Sequence, residues 1–198
     1  EIHVVTKEVF KPVLKHNPYI DKLHTFKKDV SEIIDTLKAE HFDVIIDLHK
    51  NLRSWRLKRH LRTKSYSFNK LNIEKFLAVN FKFMNALPKN HIVDRYFEAV
   101  APIGVSSDEK GLDYFITPED EINTAEQFFK GEATRFIALV AGGSYYTKKI
   151  PLNKLAEICN RASLPVVLLG GPEDEAVASQ LRALTPNVID ACGQFSIN

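Results

Sequence analysis

The chain has 198 residues, enough for one large domain or two small ones, and its 44% apolar and 26% charged content excludes an intrinsically disordered protein. A formal net charge of +2 excludes bulk charge as an argument for nucleic acid, so any anion recognition must come from local clusters. No apolar run approaches the roughly 20 residues of a membrane-spanning helix, no signal-peptide pattern opens the chain, and Cys159 and Cys192, each alone in an apolar setting, read as buried thiols of a reducing cytosol.

Short β-branched runs alternate with stretches of helical period. Ile2 to Val5 reads as a strand already under way at the start of the chain, Val30 to Leu37 as helix, Val44 to Leu48 as strand and Leu52 to Leu61 as helix. The run Asp43-Val-Ile-Ile-Asp47 is apolar through its centre, which predicts parallel strands covered on both faces in a doubly wound α/β sheet. From Leu48 to Ile73 there is no acid, while Lys50, Arg53, Arg56, Lys58, Arg59, Arg62, Lys64 and Lys70 are basic. The arginines recur every third residue and wind slowly around one helix, either as an anion site, as a nucleic-acid patch beside Trp55, or as a solvated face.

The helices predicted over Ile73 to Leu87 and Ile92 to Val100 carry Phe76, Phe81, Phe83, Met84, Tyr96 and Phe97, which are expected to pack in a core rather than meet lipid. Thr117-Pro118-Glu-Asp has the form of a helix start, with a capping Thr, Pro at the first position and acids in the first turn. The expected division is therefore 1–116 as a first domain, 117–134 as a linker helix and 135–198 as the start of a second domain.

The second series runs Phe136 to Val140 as strand, Leu152 to Arg161 as helix, Val166 to Leu169 as strand, Glu173 to Leu184 as helix, and Val188-Ile189 as a further strand. Between the first strand and helix lies Ala141-Gly142-Gly143-Ser144-Tyr-Tyr-Thr147-Lys148-Lys149, with Pro151 marking the helix start. Glycines permit close approach of a ligand, a helix N-terminus favours negative charge, and Ser144, Thr147 and Lys148 add donors, a composition suited to a diphosphate. It matches neither the Walker pattern nor the dinucleotide fingerprint, and a plain strand-to-helix turn is the competing reading. A second loop, Gly170-Gly-Pro-Glu-Asp174-Glu175, follows the next strand and favours the ligand reading, because ligands collect at the carboxyl ends of strands in open α/β sheets. Asp174 or Glu175 then either accepts from ribose hydroxyls or only complements the helix dipole. The seven histidines show no ligand-like spacing, which predicts no metal site.

Together, Gly142-Gly-Ser-Tyr-Tyr-Thr-Lys-Lys-Ile-Pro151 and Leu168-Leu-Gly-Gly-Pro-Glu-Asp174 resemble the heptosyltransferases of glycosyltransferase family 9, and Asp43 to Ser54 and Val93-Asp-Arg-Tyr96 extend the resemblance. It implies a GT-B fold of two Rossmann-like doubly wound parallel-sheet domains, both incomplete in this chain. It also implies inverting transfer of heptose from an ADP-heptose donor to a phosphorylated glycolipid, the lipopolysaccharide core, with no metal or other cofactor and no nucleic-acid partner. Another sugar-nucleotide transferase and a noncatalytic nucleotide- or polyanion-binding module are the alternatives.

Carried over residue by residue, the resemblance assigns Gly142, Gly143, Ser144, Thr147 and Lys148 to the donor diphosphate and Asp174 to the ribose, with Glu175 as second choice. It assigns Asn51, Arg53 and Arg56 to the acceptor. It implies a cytoplasmic enzyme with peripheral contact at the inner membrane face. The family's catalytic Asp lies in a Gly-Asp loop after the first strand, and an Asp-Thr-Gly segment with a following His completes its donor site. No residue here matches either, so the expectation is an internal fragment without transfer activity of its own.

Overall fold

The computed structural model describes residues 1–132, 135–143 and 145–196. The chain forms two compact units, Glu1–Phe115 and Ile116–Asn198.

In the first unit, β1 (His3–Lys7) pairs in parallel with β2 (Lys22–Phe26), and β3 (Ile45–Asp47) pairs in parallel with β4 (Ser65–Ser67). The short helix α1 (Lys11–Leu14) joins β1 to β2, and α2 (Ile34–Ala39) follows a turn whose entry is locked by Asp29 and Glu32. There the Asp29 side chain accepts from the Ser31 N–H, and the Glu32 carboxylate accepts from the N–H groups of Lys27, Lys28 and Asp29. The core gathers Phe26, Val30 and Leu37 with Leu57 of α3 (Leu52–Leu61). β2 and β4 escape the sequence pattern because Lys-Leu-His-Thr-Phe and Ser-Tyr-Ser lack the β-branched runs by which strands are recognised.

α4 (Asn72–Phe81) ends at Lys82, whose φ of +59° is left-handed, so the long helix expected to reach Leu87 stops a turn and a half early. The expected core packing of its aromatics is corrected as well: Phe76, Phe81, Phe83 and Met84 are 59%, 68%, 59% and 62% exposed. The segment carries more apolar residues than one buried face of a helix accommodates, and Ala78 alone in α4 is fully buried. Tyr96, in α5 (Ile92–Phe97), does pack, edge-on against Phe68 at 4.9 Å.

In the second unit, Thr117 to Asp120 form a turn instead of a helix start. The Asp120 N–H bonds the Thr117 carbonyl at 3.0 Å, and the Thr117 hydroxyl bonds the Asp120 carboxylate. The helix α6 (Thr124–Phe129) begins later because Asn123 caps it, its side-chain oxygen accepting from the N–H groups of Ala125 and Glu126. Beyond it lies a three-stranded sheet, all parallel, in the order β5 (Ile137–Val140), β6 (Val166–Leu169), β7 (Val188–Asp190). The connections are α7 (Leu152–Arg161) and α8 (Glu175–Leu184), as expected for parallel neighbours. Val166 and Leu168 of the central strand, Leu155 and Cys159 of α7, and Ala178 and Leu181 of α8 make one core. Helical spacing on α7 and two-residue alternation on β6 put these side chains on facing surfaces.

Leu168 is fully buried in that core. Leu168→Ala is expected to cost about 2–5 kcal/mol in urea denaturation, whereas Phe83→Ser, at an exposed position, changes stability by less than about 0.5 kcal/mol.

Candidate functional site

Because β5, β6 and β7 run parallel, the loops that follow them emerge at one edge of the sheet. The backbone ties them together: the Ala141 N–H donates to Leu169 O at 3.1 Å and the Gly193 N–H to Gly170 O at 3.0 Å. The third loop, after β7, is one that sequence patterning did not single out. Its Gly193 has φ +68°, and a Cβ there would lie 2.5 Å from a Glu175 carboxylate oxygen. The glycine within a loop following a short strand was the available signal.

Asp174 sits at the centre. Its carboxylate is buried, with the residue 3% exposed. It accepts a hydrogen bond from the Gly171 N–H at 3.2 Å and lies 3.8 Å from Lys149 Nζ. A Cβ on Gly142 would fall 2.2 Å from the same carboxylate, so glycine at 142 is what lets the first loop lie on the second. Asp174 therefore clamps the two loops, and the more exposed acid at the start of α8 is Glu175. Lys148 and Lys149 diverge: Lys149 turns to Asp174, while Lys148 is exposed and stands 5.4 Å over the Tyr145 ring. No pattern distinguishes two adjacent lysines, and only the fold shows which one is committed.

Thr147 and Lys148 lie in a single exposed turn, Tyr146–Lys148, just ahead of α7. Pro151 stands at the N-cap position of α7 and makes no side-chain cap hydrogen bond, so the helix starts uncapped, and a helix N-terminus of this kind favours negative charge. The end of the second loop, by contrast, already holds the Asp174 carboxylate. Gly143 lies against Lys148, and Ser144 lies outside the described residues. Cys192 borders Gly170, but burial first, and then the charge of Asp190, push its thiol up to about 11, so it remains protonated and inert.

A second strand-end loop lies in the first unit. Asp47 closes β3, and its Oδ1 accepts from the N–H groups of His49 at 3.0 Å and Lys50 at 2.7 Å. Its Oδ2 lies 2.7 Å from Lys58 Nζ on α3. Burial pushes the Asp47 carboxyl up, but Lys58, the Lys50 N–H, Ser54 and the His49 N–H together hold it below the usual carboxylate range. Asn51 exchanges hydrogen bonds with Ser54 and caps α3, so its side-chain oxygen serves the helix. Arg56 pairs with Asp29 at 3.2 Å, and Arg53 is exposed in the first turn of α3. The arginine stripe is thus partly engaged, with Arg59 lying 5.5 Å over the Trp55 ring.

The family model for glycosyltransferase family 9 (heptosyltransferase) matches residues 30–198. Two solved structures are similar to the chain. A family 9 glycosyl transferase from Veillonella parvula superposes with a TM-score of 0.77 at 20% identity, over 98% of this chain and 61% of its own. The ADP-heptose lipopolysaccharide heptosyltransferase II of E. coli superposes with a TM-score of 0.65 at 14% identity, over 98% of this chain and 63% of its own. The chain thus spans about three fifths of their length, and it shares their GT-B type α/β fold. No curated protein sequence matches it.

Two outcomes test this geometry. Gly142→Ala should lose about 1–3 kcal/mol of stability, and Asp174→Ala in the same chain should recover part of that loss if the clash with the carboxylate is its cause. A carboxyl held below its ordinary range stabilises the fold while ionised. That contribution is complete above the ordinary Asp value of about 3.9 and is lost as pH falls through the folded value. Asp47→Asn should therefore show a shallower loss of stability on acidification below about pH 4 than the parent chain.

Proposed function

The chain belongs to glycosyltransferase family 9, and from that premise we propose that its protein transfers heptose from an ADP-heptose donor to a lipopolysaccharide core acceptor, with inversion and without a metal. In this reaction an acceptor hydroxyl oxygen bonds to the anomeric carbon as the bond from that carbon to the β-phosphate oxygen breaks. ADP leaves with the electron pair, and the hydroxyl proton passes to a general base. No residue of this chain is assigned as that base.

The observation that carries the reading is the exposed turn of Thr147 and Lys148 directly ahead of the uncapped N-terminus of α7. A fixed cation and helix-terminal N–H groups stabilise negative charge where the departing diphosphate develops it. The absence of an Asp-x-Asp pair from the sequence fits a leaving group held by protein donors instead of a metal. In this reading Gly142, Gly143 and Ser144 line the diphosphate. Glu175, more exposed than Asp174, is the better placed of the two acids for a ribose hydroxyl.

On the acceptor side, Arg53 is the exposed cation at the start of α3 and suits phosphate recognition. Peripheral contact with a membrane that carries the glycolipid is supported by the exposed Ile73, Phe76, Val79 and Phe81 of α4. No helix among the described residues is long and apolar enough to cross a membrane.

Calorimetry of the protein with ADP, UDP and GDP is expected to show ADP binding most tightly, by at least about tenfold; binding of UDP alone would sink the heptose reading. Lys148→Ala is expected to lower kcat by about 10²–10³, and an unchanged rate would remove the leaving-group role of Lys148.

A further inference from the structure

We propose that His3, His24 and Glu40 form a binding site for one divalent transition-metal ion of the zinc class. The site is built from β1, β2 and the end of α2, none of which carries a donor-loop residue.

The register of β1 on β2 pairs His3 with Lys22 and Val5 with His24, which makes His3 and His24 diagonal neighbours on one face of the ribbon. His3 Nδ1 and His24 Nε2 stand 3.2 Å apart. Glu40, which closes α2, brings Oε2 to 3.9 Å from His3 Nδ1 and Oε1 to 4.0 Å from His24 Nε2. Around a tetrahedral ion with bonds of about 2.0–2.1 Å, ligand atoms lie about 3.3 Å from one another. The two imidazole nitrogens already have that separation, and the Glu40 carboxylate has to bring one oxygen closer to both of them to complete the set.

Three further observations fit a built site. The side chains of His3, His24 and Glu40 are 8%, 5% and 19% exposed, so the donors are gathered away from bulk water with one side open. Phe42 meets both rings edge-on, at 5.2 Å and 87° for His3 and at 6.4 Å and 85° for His24, which fixes their orientation. The outer nitrogen of His3 faces the Glu1 carboxylate at 3.4 Å, the outer-shell partner that metal-bound histidines commonly have. Two imidazoles with one carboxylate select zinc-class ions over magnesium or calcium.

Sequence spacing did not show this set because its members are brought together by strand register and by the end of α2. Lys22, hydrogen-bonded to Glu40, is the built-in competitor for the carboxylate. Its charge weakens metal binding, so removing it should tighten binding.

The test is titration of the untagged chain with Co²⁺, read by the visible bands of a low-symmetry site, with Zn²⁺ displacing it and raising the thermal midpoint. One equivalent of Co²⁺ is expected to bind per chain. His3→Gln, His24→Gln and Glu40→Gln should each weaken binding by about 100-fold or more, Lys22→Met should tighten it several-fold, and His60→Gln should leave it unchanged. Circular dichroism without metal checks folding, and if His24→Gln does not fold, the less buried Glu40→Gln decides. Absence of the bands, or bands and a zinc-induced midpoint shift that persist in folded Glu40→Gln and His3→Gln, would overturn the proposal.

Discussion

A buried carboxylate organises the loops at one edge of the three-stranded sheet. Asp174 is taken almost wholly out of water, and an uncompensated charge in that position costs several kcal/mol. The Gly171 N–H and Lys149 compensate it, and both lie on the loops the carboxylate joins. The requirement reaches outward from there. Position 142 has to be glycine because the carboxylate fills the space of a Cβ, and Lys149, itself 42% exposed, reaches toward the carboxylate while Lys148 stands over the Tyr145 ring.

The first unit solves the same problem in a similar way. Asp47 ends β3, is buried, and ties its following loop by accepting two backbone N–H groups while Lys58 neutralises it from α3. In each unit a buried aspartate holds a loop that follows a strand, and a neighbouring basic residue, Lys148 in one and Arg53 in the other, stays exposed. The loops are thereby fixed to the strands they follow, and a loop already held in place has less conformational freedom to lose on binding any ligand.

Much of this was legible in the chain. The β-branched runs at 44–48, 136–140 and 166–169 and the helical periods at 52–61, 152–161 and 173–184 reappear as strands and helices, because local propensity and residue spacing agree in each of them. Where they disagreed, reading failed. β2 carries Lys22, His24 and Thr25 among its five residues, and it counts as a strand only because β1 lies beside it. α4 has an apolar excess, and nothing in its periodicity says which residues stay outside. Thr117-Pro118 has the chemistry of a helix start, yet Asn123 captures the helix instead.

The sequence alone determined the α/β alternation, the two glycine loops at strand ends and the family they resemble, since these depend on residue type and on spacings within one loop or one turn. Tertiary structure decided what each charged group does. The Gly142 to Lys149 loop carries two adjacent lysines and the Gly170 loop three consecutive acids, Glu173 to Glu175, and local rules treat the members of each set alike. Only the approach of the loops across β5 and β6 buries Asp174, turns Lys149 toward it and leaves Lys148 exposed. The same holds for His3, His24 and Glu40, whose meeting is set by the register of β1 on β2 and the end of α2. Interactions between residues distant in the chain are fixed by packing, and packing is a property of the whole fold.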